Sequence, residues 1–525
     1  MHFTRTFKAS SHCLPSPDGR FVATLFASNI SVRSTRSLEV VKIIRLPREI
    51  AGRPVSAFSW STSSKCLLVA AVEQVHVFSA VDGDFHGTIR HPAAPAAKPA
   101  VVDFGAYDTE MCICSPFGLK FAVFDLASAK AVEISNPKFY ATSAAACRSF
   151  SFRPQTYHLA VLTRTSGKDA ISLHHPVTRE LQRSWFPETV DAQGLTWSPD
   201  GRWLVVWESP GQGHKILFYT PDGNLFRVWL GPQIPTPDAE LSLGAGVKHL
   251  RFSPDARYLA IGDHSRCICM LNMASASETM RLHHPSSLAP RETLQVWQEQ
   301  VNLGSADIPR HSFIRAAQTI YPPARTSGSA SETKGGCSLV SFDSSSTLLV
   351  SKLEDAPSTL WIWDVVASEL RAVIIFHSNV SKVSWHPSIR ETLLIGCEGE
   401  EYGGLAFVWD PLTQGPRSVD FAQELPASKL IGKSGFMWLN MAAVDPGVLF
   451  FADSKDYLLA CLAESDQDPL PWQTADGTAV HSAARTEDSP LVLADEEEDI
   501  FSSGADDDGG SELEDTFHFK REAGP

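Results

Sequence analysis

The sequence predicts an all-β fold: a β-propeller closed into a single ring of seven to nine blades, followed by a disordered acidic C-terminal tail. Three observations predict it. A turn phrase, written in full as W-S-P-D-G-R-W at 197–203, returns in degenerate form along the chain. Each copy precedes an unbroken apolar run of strand length. The pattern then stops after residue 462, and residues 495–515 hold eleven acidic side chains and no basic one.

Aligned on the residue before the turn, nine copies fall at Pro15, Trp60, Phe104, Phe152, Trp197, Phe252, Phe342, Trp385 and Trp438, mostly 43 to 55 residues apart. That period is close to the ~40–45 residues of a WD40 propeller blade. In the turn, Pro199 pre-sets its own φ, Asp200 bonds nearby backbone and Gly201 takes the positive φ that closes a tight hairpin. Ala256 replaces the glycine in S-P-D-A-R, which costs roughly 1 kcal/mol if the positive φ is kept. The strands after the turns, at 21–25, 67–72, 159–162, 203–207, 258–261, 348–350 and 393–395, are apolar on successive residues. Such strands must be covered on both faces, and stacking around an axis gives each sheet two neighbours. A third strand follows and twice ends in a Trp-Asp pair, Trp363-Asp364 and Trp409-Asp410; elsewhere it is degenerate, as in V-H-V-F at 75–78. The short segment ahead of the first turn is expected to supply the outer strand that the last copy lacks, which removes exposed edges.

The predicted propeller domain covers residues 1–462. It is interrupted at 283–336, read as a long loop leaving the ring, because loops of that length are often functional. Within it, residues 292–303 fit a short helix or a strand, and the Ser/Gly-rich 327–336 reads as mobile. Cutting out 288–334 is expected to leave the ring folded and to weaken a partner. Residues 463–525 form the disordered tail. Its segment F-H-F-K-R at 517–521 and the hydroxyls three residues before acids, at Ser503 and Ser511, stand out from a solvating background. Trp297, Phe517 and Phe519 are the candidate partner contacts.

The net charge is −15, and without 495–515 it is −4. A body so nearly balanced has no basic field for nucleic acid or anionic membrane. No run approaches the length that spans a bilayer and the N-terminus lacks an apolar signal segment, so a cytoplasmic or nuclear protein is expected. The ten cysteines are scattered, with Cys112/Cys114 and Cys267/Cys269 at strand spacing, and read as reduced core thiols. Phosphate-loop, nucleophile-elbow, H-E-x-x-H and dinucleotide patterns are missing, so no catalytic residue, metal or cofactor is assigned. In His174-His175 and His283-His284 the neighbouring imidazoles of an extended segment point opposite ways, which disfavours metal binding. Nearly all of the thirteen tryptophans fall at repeated core positions rather than forming a base-stacking surface.

One resemblance is specific. The N-terminal M-H-F-T-R-T-F-K-A-S-S-H-C-L-P-S-P-D-G-R-F-V-A, the block 194–272, the His-His-Pro at 283–285 and T-L-W-I-W-D-V at 359–365 resemble, in order, the centrosomal WD-repeat protein eight family. The likeness runs over residues 1–462, but the acidic tail and the middle of the insertion match nothing in it. It implies a non-enzymatic scaffold at the spindle pole body or centrosome, in the cytoskeleton. The expected partner is a coiled-coil microtubule-anchoring protein, together with a kinesin-14 motor and spindle-pole components, in tethering microtubule minus ends and supporting spindle assembly. Two other classes compete: a translation-factor-like propeller on ribosomes, disfavoured by the charge, and a ubiquitin-ligase substrate receptor. The second often carries W-D-x-R, whereas here Asp364 is followed by Val365 and Val366, and Asp410 by Pro411 and Leu412.

Overall fold

The computed structural model describes residues 1–472 apart from 72, 91–100, 116–117, 139–148, 233–245, 304–308, 325–335, 389–390, 427–429, 442–446 and 464–469. Among these residues lie nine sheets, one for each copy of the turn phrase, each built on an antiparallel meander. Blade 1 runs from Cys13–Pro15 to Val40–Arg45, and blade 2 from Ala57–Trp60 to His86–Arg90. Blades 3, 4, 5 and 6 end on Lys130–Ser135, Leu181–Trp185, Leu225–Trp229 and Ser277–His283. Blade 7 spans Cys337–Phe342 to Glu369–Ile375, blade 8 Val380–Trp385 to Arg417–Asp420, and blade 9 begins at Gly435–Leu439.

Each blade is a meander. In blade 5, Trp197 opposes Leu204, Leu204 opposes Tyr219, and Tyr219 opposes Leu225. The second strands are buried along their whole length, as in Cys66–Ala70, Leu204–Glu208 and Leu393–Cys397. Their apolar runs thus have cover on both faces, as the sequence requires. Nine apolar clusters supply that cover, each joining one blade to the next. Leu67 and Val69 of blade 2 meet Ala23 and Val32 of blade 1, and the series continues through blades 8 and 9 until Val448 and Leu459 of blade 9 meet Cys13 and Val22 of blade 1. The ring is therefore closed by packing.

It is also closed by hydrogen bonding. His2–Phe3 and Phe7–Lys8 pair with Asp456–Cys461, with His2 opposite Cys461 and Phe7 opposite Tyr457. The first residues complete the last blade, as expected from the sequence. First strands of neighbouring blades touch, Val247–Phe252 against Cys337–Phe342 for example, whereas fourth strands such as Leu181–Trp185 are largely exposed. First strands therefore line the axis and fourth strands the rim.

The insertion is not a loop leaving the ring. Within 283–336, Gln295–Leu303 and Pro309–Arg315 form a hairpin, and Gln295–Leu303 pairs in parallel with Glu369–Ile375, making blade 7 a six-stranded sheet. The choice between helix and strand at 292–303 resolves to strand because successive residues serve opposite faces. Val296 enters the seam between blades 6 and 7 and Trp297 the seam between blades 7 and 8. Trp297 is 6% exposed, so it is a core residue and not a surface contact. Most of 327–336, and the tail with Phe517 and Phe519, lie outside the described residues.

Candidate interaction surfaces

The residues of the turn phrase are framework. Ser198 Oγ donates to Asp200 Oδ1 at 2.5 Å and accepts the Trp203 amide at 3.0 Å. The Arg202 amide donates to Asp200 Oδ1 at 3.1 Å, the Gly201 amide reaches the Ser198 carbonyl at 2.9 Å, and Gly201 sits at φ 67. Pro199 is the fixed corner between them. Ser16–Asp18 repeats the arrangement in blade 1 and Ser253–Asp255 in blade 6, where Ala256 keeps φ at 59. Successive turns also grip one another: the Asp18 amide donates to Ser64 Oγ at 3.0 Å, the Asp255 amide to Ser346 Oγ at 3.1 Å, and Arg153 Nε to the Gly201 carbonyl at 2.8 Å. Three of the four tryptophans before the turns stitch the inner strands. Trp60, Trp385 and Trp438 each donate from Nε1 to a carbonyl on the preceding blade, at Leu14, Ser341 and Ser384.

The two Trp-Asp pairs are framework as well. Trp363 Nε1 donates to Ser351 Oγ at 2.9 Å. On the same hydroxyl lies His284 Nε2 at 2.8 Å, its ring edge-on to Trp361 and Trp363. Burial holds His284 down at a pKa of about 4, so it is neutral near pH 7. Asp364 Oδ1 accepts the Ala367 amide and Asp410 Oδ1 the Leu412 amide, bracing the following turns. Trp409 is fully buried. In the two His-His pairs one ring points inward, His174 to Ser172 and His284 to Ser351. Among the described residues no group of three His, Cys, Asp or Glu is placed to hold a metal ion, and no helix is long and apolar enough to cross a membrane. The nine described cysteines form no disulfide. Burial pushes Cys13, Cys114 and Cys337 up to about 12, which keeps them protonated.

The insertion brings together a polar group that the sequence did not signal. Glu299, buried in the hairpin, lies 2.6 Å from His311 Nδ1, accepts the Tyr402 hydroxyl at 3.2 Å and takes the His377 amide at 2.8 Å. Phe407 stands edge-on to His311, and Phe313 edge to face with both Phe376 and Phe407. Trp297 presses on Gly415, where an added Cβ would come within 2.8 Å of the indole. The hairpin is thus fixed to blade 8 as well as to blade 7.

Exposed apolar side chains lie on the first turns of blades 3 and 4, on the third turn of blade 4 and on the outer strands of blades 4 and 5. Tyr107 and Tyr157 stand edge to face at 5.3 Å and are 39% and 41% exposed. Val177, 67% exposed, follows on blade 4, with Leu181 beyond it and Leu225 and Phe226 on blade 5. Beneath the tyrosines is a buried ion pair: Arg179 Nε reaches Glu110 Oε1 at 2.5 Å and Nη2 reaches Oε2 at 2.9 Å. Arg179 also donates to the Tyr157 carbonyl at 2.6 Å and stacks over Phe152. Tyr157 is held at φ 59. Beside it, burial and then the charges of Arg153, His175 and Arg179 lower the His158 pKa. The aromatic pair is therefore held rigid on a cation that is already spoken for, the condition under which aromatic side chains anchor a partner at little entropic cost.

Comparison with known proteins agrees with this framework. A mouse WD repeat-containing protein, WRAP73, is 24% identical over 499 residues, covering 89% of this chain and all of that protein. The fold is a WD40-type β-propeller. An uncharacterized WD repeat-containing protein of Schizosaccharomyces pombe is 23% identical over 402 residues, covering 74% of this WD40 chain and 76% of its own. No family model matches. A solved eukaryotic initiation factor overlays with a TM-score of 0.49 at 10% identity, over 79% of this chain and 90% of that one; a likeness of that size separates no functions. The WD40 ring thus stands as a propeller scaffold for binding other proteins.

Proposed function

We propose that this WD40 protein is a non-catalytic adaptor at the spindle pole body or centrosome, which uses the exposed end of blades 3 to 5 to hold a coiled-coil microtubule-anchoring protein and so tether microtubule minus ends. The observation that carries the reading is the rigid Tyr107–Tyr157 pair seated on the buried Glu110–Arg179 ion pair, flanked by exposed Val177 and Leu181. An amphipathic helix offers apolar side chains at i, i+3, i+4 and i+7, which suits an elongated apolar surface of this kind. The ordered likeness to the centrosomal WD-repeat protein eight family supports the cellular setting, and a mouse WD repeat-containing relative matched along its whole length supports the propeller scaffold. The mechanism is geometric: a rigid platform raises the local concentration of what it holds.

The test is a tagged chain imaged beside a spindle-pole marker through mitosis, together with the double variant Tyr107→Ala, Tyr157→Ala. Pole localisation of the parent, lost in the variant while its thermal unfolding stays within a few degrees, supports the reading. A diffuse parent at every stage, or a variant that still concentrates at the poles, overturns it.

A further inference from the structure

Blade 7 shows that this ring accepts an extra strand from its own chain on the outside of a blade. Of the bare outer strands, that of blade 1 is the most strand-like. Val40–Arg45 reads V-V-K-I-I-R, four of six positions carrying β-branched side chains. Val40, Val41 and Ile43 are exposed, Ile43 to 62%, where a rim strand normally carries polar side chains. Its surroundings are basic. Residues 33–53 hold six Arg and Lys against Glu39 and Glu49, and Arg36, Arg45, Arg48 and Arg53 are all exposed. Lys42 is engaged, donating to the Ser79 and Gly83 carbonyls.

The chain returns to this place. After the last blade, Leu470 and Trp472 pack against the cluster that joins blades 9 and 1, and Leu38, two residues before the basic strand, packs against the same cluster. Beyond Trp472 the sequence continues to L-V-L at 491–493 and then to the acidic run 495–515. From Trp472 to Asp495 an extended chain reaches about 80 Å, far more than the ~20 Å length of a six-residue strand.

We propose that residues 491–515 of this chain dock on the outer edge of blade 1. The apolar Leu491, Val492 and Leu493 lie against Val41 and Ile43, and the acids that follow lie against Arg45, Arg48 and Arg53. The acidic segment is then a tethered cover: it occupies an edge that would otherwise recruit a strand from another chain, and an acidic partner must displace it. Blades 4 and 5 also have bare outer strands, Leu181–Trp185 and Leu225–Trp229, but each has a single basic residue, Arg183 or Arg227, and neither adjoins Trp472. This inference is independent of the proposed cellular role.

Hydrogen exchange on the full chain tests it. The outward-facing amides of Val40–Arg45 should exchange about tenfold faster or more when the tail is neutralised by Asp495→Asn, Glu496→Gln, Glu497→Gln, Glu498→Gln and Asp499→Asn, and likewise for the parent in ~0.5 M salt, where screening is strong. Arg45→Glu, Arg48→Glu, Arg53→Glu should show the same acceleration, and adding Glu496→Lys, Glu497→Lys, Glu498→Lys should restore slow exchange. Protection of Cys66–Ala70 reports that each variant is folded, and the salt arm needs no variant at all. Equal exchange in parent and neutralised tail, no rescue by the charge swap, or protection that grows with protein concentration and so comes from a second copy, would each overturn the proposal.

Discussion

The outer strands of blades 7 and 1 occupy equivalent places on the ring and meet opposite fates. Glu369–Ile375 is buried over its last four residues because Gln295–Leu303 lies alongside it, while Val40–Arg45 buries only Ile44 fully. Both sequences are rich in Val and Ile, so composition does not separate them. What separates them, among the described residues, is whether another strand is paired to the edge. A propeller rim is therefore not uniform: each blade's exposure is set by what the chain does elsewhere, and the most apolar rim strand is not the most buried.

The comparison is broken most severely by removing 288–334. The sequence alone suggests an intact ring, but the structure shows that Leu288, Val296 and Trp297 belong to two inter-blade clusters. We expect the deletion to strip blade 7 to the condition of blade 1 and to lower its unfolding temperature by many degrees, with exchange rising across Glu369–Ile375. Trp297→Ala alone should cost about 3–5 kcal/mol in denaturant unfolding. Glu299→Ala comes next. It leaves Tyr402 and the His377 amide without their acceptor and is expected to cost about 3 kcal/mol, whereas Ile43→Thr on the bare strand should stay within about 0.5 kcal/mol.

Acid acts less locally. His76, His249, His284 and His386 are each lowered by burial to about 4. Below pH 6.5 the unfolded chain binds protons that the native ring refuses, so stability is complete above that pH and falls as the pH drops from 6.5 toward 4. Because these four residues lie in blades 2, 6 and 8 and at the seam of blades 6 and 7, blades 1 and 7 should lose protection together; denaturant midpoints between pH 7.5 and 4.5 check the sign. The smallest effect is a gain. Ala256→Gly relieves a positive φ of 59 and should stabilise by about 0.5–1 kcal/mol, and a loss there would mean that the turn is not strained.

The repeat, the blade count and the closure were legible because they depend on local patterns: S-P-D-G fixes a turn, and an apolar run needs two covered faces. The insertion was not legible for a physical reason. A strand added in parallel arrives with no tight turn to announce it, and the contact that buries Trp297 is with Gly415, far along the chain. A tryptophan in an interruption therefore reads as a surface contact when it is a wedge between blades. Tyr107 and Tyr157 were passed over for the same reason, since their pairing exists only because blades 3 and 4 are neighbours. His284 was half legible. Alternation gave its orientation, but the hydroxyl it meets, Ser351, lies beyond the insertion.

His2 opposes Cys461, so one half of the seam is synthesised long before the other. Until then eight blades wait as an open arc whose terminal faces are apolar. Sealing is a single late event, and any change at His2–Phe3 or Phe7–Lys8 is felt in the joint itself.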